Sequence, residues 1–119
     1  SNMAEIRIPR DWLILTKKTG MIDITVGDVL KAVSAVTWIP VEVLKSHRRD
    51  MVTSSARQIA MYLADELTDM GRSHIARQLG NRDHTCVIYG CKRIAEKMKD
   101  DQELRDTVNA CRNRIVSKC

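Results

Sequence analysis

The chain has 119 residues, of which 44% are apolar and 29% charged, a size and balance that allow one folded domain and exclude a disordered tail. Aromatic residues make up only 3%, beside five Gly and two Pro; a β-sandwich or barrel needs aromatic strands and Gly/Pro turns, so an all-α fold is expected. The net charge of +5 is unevenly spread: residues 45–93 carry nine positive and five negative side chains, whereas residues 1–44 balance five against five. An excess in the middle of the chain suits a face that meets a polyanion, or a solvated basic face with no partner.

No apolar run approaches the roughly 18 residues of a membrane span, and no basic start leads into a signal-type apolar stretch. A cytoplasmic location without membrane contact is expected. Cys86, Cys91, Cys111 and Cys119 form no CxxC pair, so reduced thiols are expected rather than disulfides. Ser1-Asn2 ahead of Met3 read as a remnant of tag removal and carry no weight in the fold.

Residues 1–23 read as an N-terminal extension without clear period, in which Trp12, Leu13 and Leu15 lie against apolar surface. From Thr25, an N-cap, residues Val26, Val29, Leu30, Val33 and Val36 recur at helical spacing. Pro40 opens a short helix over 41–45, where its missing N–H costs nothing. A polar, basic connection, 46–55, leads into an amphipathic helix over 55–69 built on Ile59, Leu63 and Leu67. A short helix over 72–79 ends at Gly80, a left-handed C-terminal position. Asp83 caps the next helix, with Val87, Cys91, Ile94 and Met98 on its apolar face. A last helix over 102–116 carries Leu104, Val108, Cys111 and Ile115. The expected architecture is a bundle of five to six helices over 24–119.

Two helices joined by a short turn containing Gly form a helix-turn-helix, whose second helix enters the DNA major groove with its N-terminal end. That end here is Asn81-Arg82-Asp83-His84-Thr85. Arg82 suits phosphate or guanine, Asp83 a base amino group, His84 a purine edge, and the Thr85 methyl a thymine. Asp83 also serves as an N-cap, and if it holds only one role, capping is preferred.

The residue run goes further. Leu67-Thr68, His74-Ile75-Ala76 and Gly80-Asn81-Arg82-Asp83-His84-Thr85-Cys86-Val87 resemble the C-terminal DNA-binding domain of the bacterial replication initiator DnaA, whose signature reads GGRDHTTV. Lys45-Ser46-His47-Arg48-Arg49 and the stretch Ala56–Leu63 resemble that domain's basic loop and following helix. The similarity covers residues 24–116. It implies a Trp-repressor-like helix-turn-helix fold and binding of double-stranded DNA at initiator boxes, modulating replication initiation or nearby transcription. Carried over by position, it puts Arg49 in the minor groove, with Arg48 beside it in a minor-groove or phosphate role, and Arg57 and Arg82 on phosphates. Asp83, His84 and Thr85 then face major-groove bases, flanked by Ile88.

Several positions depart from the family. Asp65 stands for a phosphate-contacting Lys, Met51 and Ser55 for loop arginines, Ser73 for Pro, Cys86 for the second Thr and Asn81 for the second Gly. Each lost cation removes about one phosphate's worth of salt-dependent affinity, so weaker binding than a full initiator's is expected. No Gly-x4-Gly-Lys-[Ser/Thr] loop occurs in these residues. Neither ATPase activity nor a nucleotide, metal or other cofactor is expected, and no catalytic constellation stands out. Two alternatives compete with box reading: a protein-interaction module that binds the initiator or another replication protein, and a transcription repressor with unrelated operators.

Overall fold

The computed structural model describes residues 24–117 as six α-helices, with no strand among them. They are α1 (Val26–Thr37), α2 (Val41–Leu44), α3 (Met51–Leu67), α4 (Arg72–Gln78), α5 (His84–Lys97) and α6 (Gln102–Ser117). The all-α bundle matches the expectation from composition. The extension 1–23, with Trp12, Leu13 and Leu15, lies outside the described residues, as does Cys119.

Four of the six helices start where a side chain accepts from one of the first free N–H groups: Thr25 at α1, Asp50 at α3, Asp83 at α5 and Asp101 at α6. At α1 the Thr25 hydroxyl accepts from Asp28 N–H and the Asp28 carboxylate accepts from Thr25 N–H, both at 3.1 Å, a closed capping box. At α3 the cap is Asp50, whose carboxylate accepts from Thr53 N–H at 3.1 Å and from the Thr53 hydroxyl at 2.9 Å. This corrects the expected start at residue 55: α3 begins at Met51, and the basic connection shortens to residues 46–50. The first turn, whose apolar Met51 and Val52 are exposed, carries no apolar period to reveal it. The same helix stops at Leu67, short of 69, because the Thr68 hydroxyl donates to Ala64 O at 2.7 Å while its own backbone turns extended.

Helix α3 is the hub. Its buried Ala56, Ile59, Ala60, Met61, Leu63, Ala64 and Leu67 face α1, α5 and the short helices. Val29, Leu30 and Val33 of α1 and Val108, Cys111 and Ile115 of α6 close the opposite side. Full burial of each large aliphatic chain contributes roughly 1.5–3 kcal/mol. A bidentate pair joins α6 to α3: Arg112 donates to Glu66 at 2.8 and 3.2 Å, with both side chains largely buried. Cys111 is fully buried, and burial pushes its thiol up to about 12.

Two close approaches fix the front of the bundle. A Cβ on Gly90 of α5 would lie 2.8 Å from Met61 Sδ and 3.4 Å from Gln58 Cγ, so the glycine lets α5 settle onto α3 despite its cost of about 1 kcal/mol in a helix interior. Cys91 beside it is half-buried, donates to Met61 O, and is pushed up to about 11 by burial. At Gly80, φ is +92° and a Cβ would stand 2.1 Å from Lys45 O. The turn therefore presses on the end of α2, and only glycine fits.

Candidate nucleic-acid interface

The helix-turn-helix is built from the core outwards. Ile75, Ala76 and Leu79 anchor α4, and Val87 and Ile94 anchor α5, all fully buried. Between them the chain reverses through two successive left-handed residues, Gly80 and Asn81 (φ 61°). Asn is among the few non-glycine residues that adopt this conformation readily, so the replacement of the family's second Gly leaves the turn intact. Asn81 N–H donates to Arg77 O at 3.0 Å and Arg82 N–H to Ala76 O at 2.8 Å, closing the turn.

Asp83 then caps α5. Its Oδ1 accepts from Thr85 N–H at 3.0 Å and from the Thr85 hydroxyl at 3.2 Å, and it lies 3.0 Å from His84 Nδ1. These bonds, led by the Thr85 N–H, hold the carboxyl below the usual carboxylate range. Asp83, His84, Thr85 and Cys86 are all exposed. The first turn of α5 is open, and Ile88 sits half-buried one turn further along.

The basic loop lies beside this turn. Arg48 pairs with Asp50 at 2.8 Å, an exposed contact of little energetic weight. Arg49 is exposed and makes no hydrogen bond or ion pair among the described residues. Arg57 and Arg82, expected on phosphates, have other partners here. Arg57 is buried, with Nε donating to Leu44 O at 2.9 Å and Nη2 to Ser46 O at 3.0 Å and Arg48 O at 2.9 Å. Arg82 donates through Nε to Leu79 O at 2.8 Å and through Nη2 to Ser46 O at 2.5 Å.

Between α3 and α5 runs an open groove of about 400 Å³, lined by Ser54, Arg57, Gln58, Met61, Arg82, Thr85, Cys86 and Tyr89. Ser54, Gln58 and Tyr89 were not singled out in the sequence. Tyr89, which stays exposed, stands one helical turn beyond Thr85, and that spacing was a usable signal. Among the departures from the family, Asp65 is compensated by Arg72 at 3.4 Å. His47 is exposed on the loop, and His74 of α4 is half-buried. No group of three or more His, Cys, Asp or Glu side chains capable of holding a metal occurs among the described residues, and no helix there is long and apolar enough to cross a membrane.

Comparison with known proteins bears on what this arrangement is for. Over 87 residues, 73% of the chain, it is 44% identical to the chromosomal replication initiator protein DnaA of Chloroflexus aurantiacus (strain ATCC 29366 / DSM 635 / J-10-fl). The same figures hold for the initiator of Chloroflexus aggregans (strain MD-66 / DSM 9485). The chain spans 18% of the length of each relative. Residues 26–94, from the start of α1 to Ile94 of α5, match the family described as the bacterial dnaA protein helix-turn-helix. An open, capped recognition turn beside a basic loop, inside a match that covers more than half of the sequence, identifies the chain as a member of that DNA-binding helix-turn-helix family.

Proposed function

We propose that the protein reads double-stranded DNA at sites resembling initiator boxes, and that by occupying them it modulates replication initiation or transcription nearby. The observation that carries the reading is the joining of two exposed elements: Arg82, next to the cap of α5, donates to the Ser46 carbonyl of the loop that bears Arg48 and Arg49. That bond presents the first turn of α5 and the exposed cation of Arg49 side by side. In this reading His84, through the ring nitrogen not facing Asp83, and Thr85, through its methyl, address major-groove bases. Asp83 keeps Oδ2 for a base amino group while Oδ1 caps the helix. Ile88 backs this turn, and Arg49, with Arg48, enters the adjacent minor groove.

The chemistry is recognition without bond-making. Phosphate attraction supplies affinity that falls with salt, and base-edge contacts supply preference. ATP turnover forms no part of the proposal.

Fluorescence anisotropy with a box duplex and a scrambled duplex tests it. Preference for the box is expected, with affinity falling steeply between low and physiological salt; equal affinity for the two removes the sequence-specific claim. Selection from a random duplex pool separates box reading from unrelated operators. A second reading, binding to the initiator or another replication protein with weak DNA contact, is favoured by Asp65, Met51 and Ser55 in place of basic residues. A flat salt dependence would select it.

A further inference from the structure

Loop 46–50 contributes no side chain to the buried core. Its own contacts are short in range: the Ser46 hydroxyl donates to Val43 O at 2.6 Å, Arg48 N–H to the Ser46 hydroxyl at 3.3 Å, and Arg48 pairs with Asp50. Such a loop samples many conformations unless something outside it fixes the backbone, and a cation aimed at a groove is effective only when its support is fixed.

The support comes from two guanidinium groups on different elements. Arg57, from α3, reaches the carbonyls of Leu44, Ser46 and Arg48; Arg82, from the helix-turn-helix, reaches those of Leu79 and Ser46. The Ser46 carbonyl accepts from both. Neither arginine has an ion pair among the described residues. Burial of Arg57, and then the charge of Arg82, disfavour the protonated form, with Asp50 opposing them. Placing two cations together is unfavourable, and here carbonyl dipoles offset it. Arg57 reaches them through two separate nitrogens, Nε to Leu44 O and Nη2 to Ser46 O and Arg48 O, a fixed planar fork that a single ammonium nitrogen on a flexible stem does not reproduce.

We propose that Arg57 and Arg82 are positioning residues that lock the loop bearing Arg48 and Arg49 against the turn bearing Asp83, His84 and Thr85. Base preference at the loop's end of a DNA site then depends on them without any base contact of their own. The inference rests on the DNA-reading function proposed above. It gives the two arginines a role distinct from a phosphate contact, and the roles leave different signatures. A phosphate contact contributes about equally to every sequence and about one unit of salt slope. A positioning residue acts through Arg49, so its loss is felt at the base pairs Arg49 reads and vanishes when Arg49 is gone.

The test uses the full chain as wild type, Arg57→Gln, Arg57→Lys, Arg49→Ala and the Gln/Ala double variant. Binding is measured against a duplex selected from a random pool and its single-base-pair variants, at several salt concentrations. Amide hydrogen exchange is followed without DNA. Arg57→Gln is expected to weaken binding about tenfold alone but less than about twofold in the Arg49→Ala background, flattening preference only where Arg49→Ala flattens it. Residues 45–50 should exchange faster, α5 unchanged, and Arg57→Lys should not restore wild-type behaviour.

A uniform, additive loss with a salt slope lower by about one overturns the proposal in favour of a phosphate contact. Unchanged exchange in 45–50 overturns it too, as does a rise in exchange throughout the bundle with proportional weakening on every duplex. Should Arg57→Gln fail to fold, Arg82→Gln, at a half-buried site, carries the same cycle. If the wild type prefers no duplex, the DNA-reading function falls, and exchange in 45–50 alone decides whether the arginines hold the loop.

Discussion

The helix-turn-helix and the basic loop lie side by side, yet they are held by different physics. Ile75, Ala76, Leu79 and Val87 are fully buried, so α4 and α5 are located by apolar packing, a non-directional attraction summed over many small contacts. Residues 46–50 offer the core nothing and depend on carbonyls facing two guanidiniums. Hydrogen bonds of that kind are directional, and removing Arg57 takes the guanidinium partner from Leu44 O and Arg48 O. Changes on the helix-turn-helix side should therefore move stability and recognition together. Loss of an exposed cation on the loop should move recognition with little cost in stability.

Gly80→Ala strikes where the two regions touch and should have the largest effect. The added Cβ meets Lys45 O at 2.1 Å in a left-handed backbone, so a loss of at least about 3 kcal/mol is expected, read as a lower Tm. An unchanged Tm would contradict the close contact between turn and loop. Glu66→Gln is the remote control: it leaves Arg112 of α6 without its carboxylate, and about 2–3 kcal/mol of stability should be lost. DNA preference should stay as in the wild type, because the pair lies between α3 and α6. Arg49→Ala reverses the pattern. Chemical denaturation should register less than about 0.5 kcal/mol, while binding weakens by about 1–2 kcal/mol at one end of the site only.

The same contrast explains what could be read in the sequence. Val26 to Val36, Ile59 to Leu67 and Leu104 to Ile115 announce their helices because apolar burial imposes a period on side chains. Thr25, Gly80 and Asp83 were legible as caps because each role demands a particular side chain or its absence. The start of α3 was not, since Met51 and Val52 are apolar yet exposed and the signal rests on Asp50 and Thr53 alone. The employment of Arg57 was hidden for a deeper reason. Its partners are backbone carbonyls of residues 44, 46 and 48, and every residue has a carbonyl, so no sequence pattern marks them. The outward face of α5 was legible through Asp83, His84 and Thr85, and the spacing of Tyr89 from Thr85 extends it, whereas Ser54 and Gln58 join the groove only when α3 and α5 are brought together.

The smallest effects should come from the two aspartate caps, one at each region. Asp50 holds the end of the loop and Asp83 the start of α5, and hydrogen bonds from Thr53 and Thr85, respectively, keep both carboxyls below their ordinary range. A group whose folded-state pKa is depressed stabilises the fold above its unfolded value, near pH 4, and loses that contribution as pH falls through the lowered folded value. Tm should therefore decline as pH falls below about 4, and either Asp→Asn variant, which caps without titrating, should show a shallower decline. The two caps part company on DNA. Asp50→Asn should leave base preference unchanged at neutral pH, whereas Asp83→Asn replaces an acceptor oxygen with a donor beside His84 and should shift preference at one base pair. Equal preference profiles for the two variants would mean that Asp83 serves α5 only as a cap, leaving the reading of bases to His84 and Thr85.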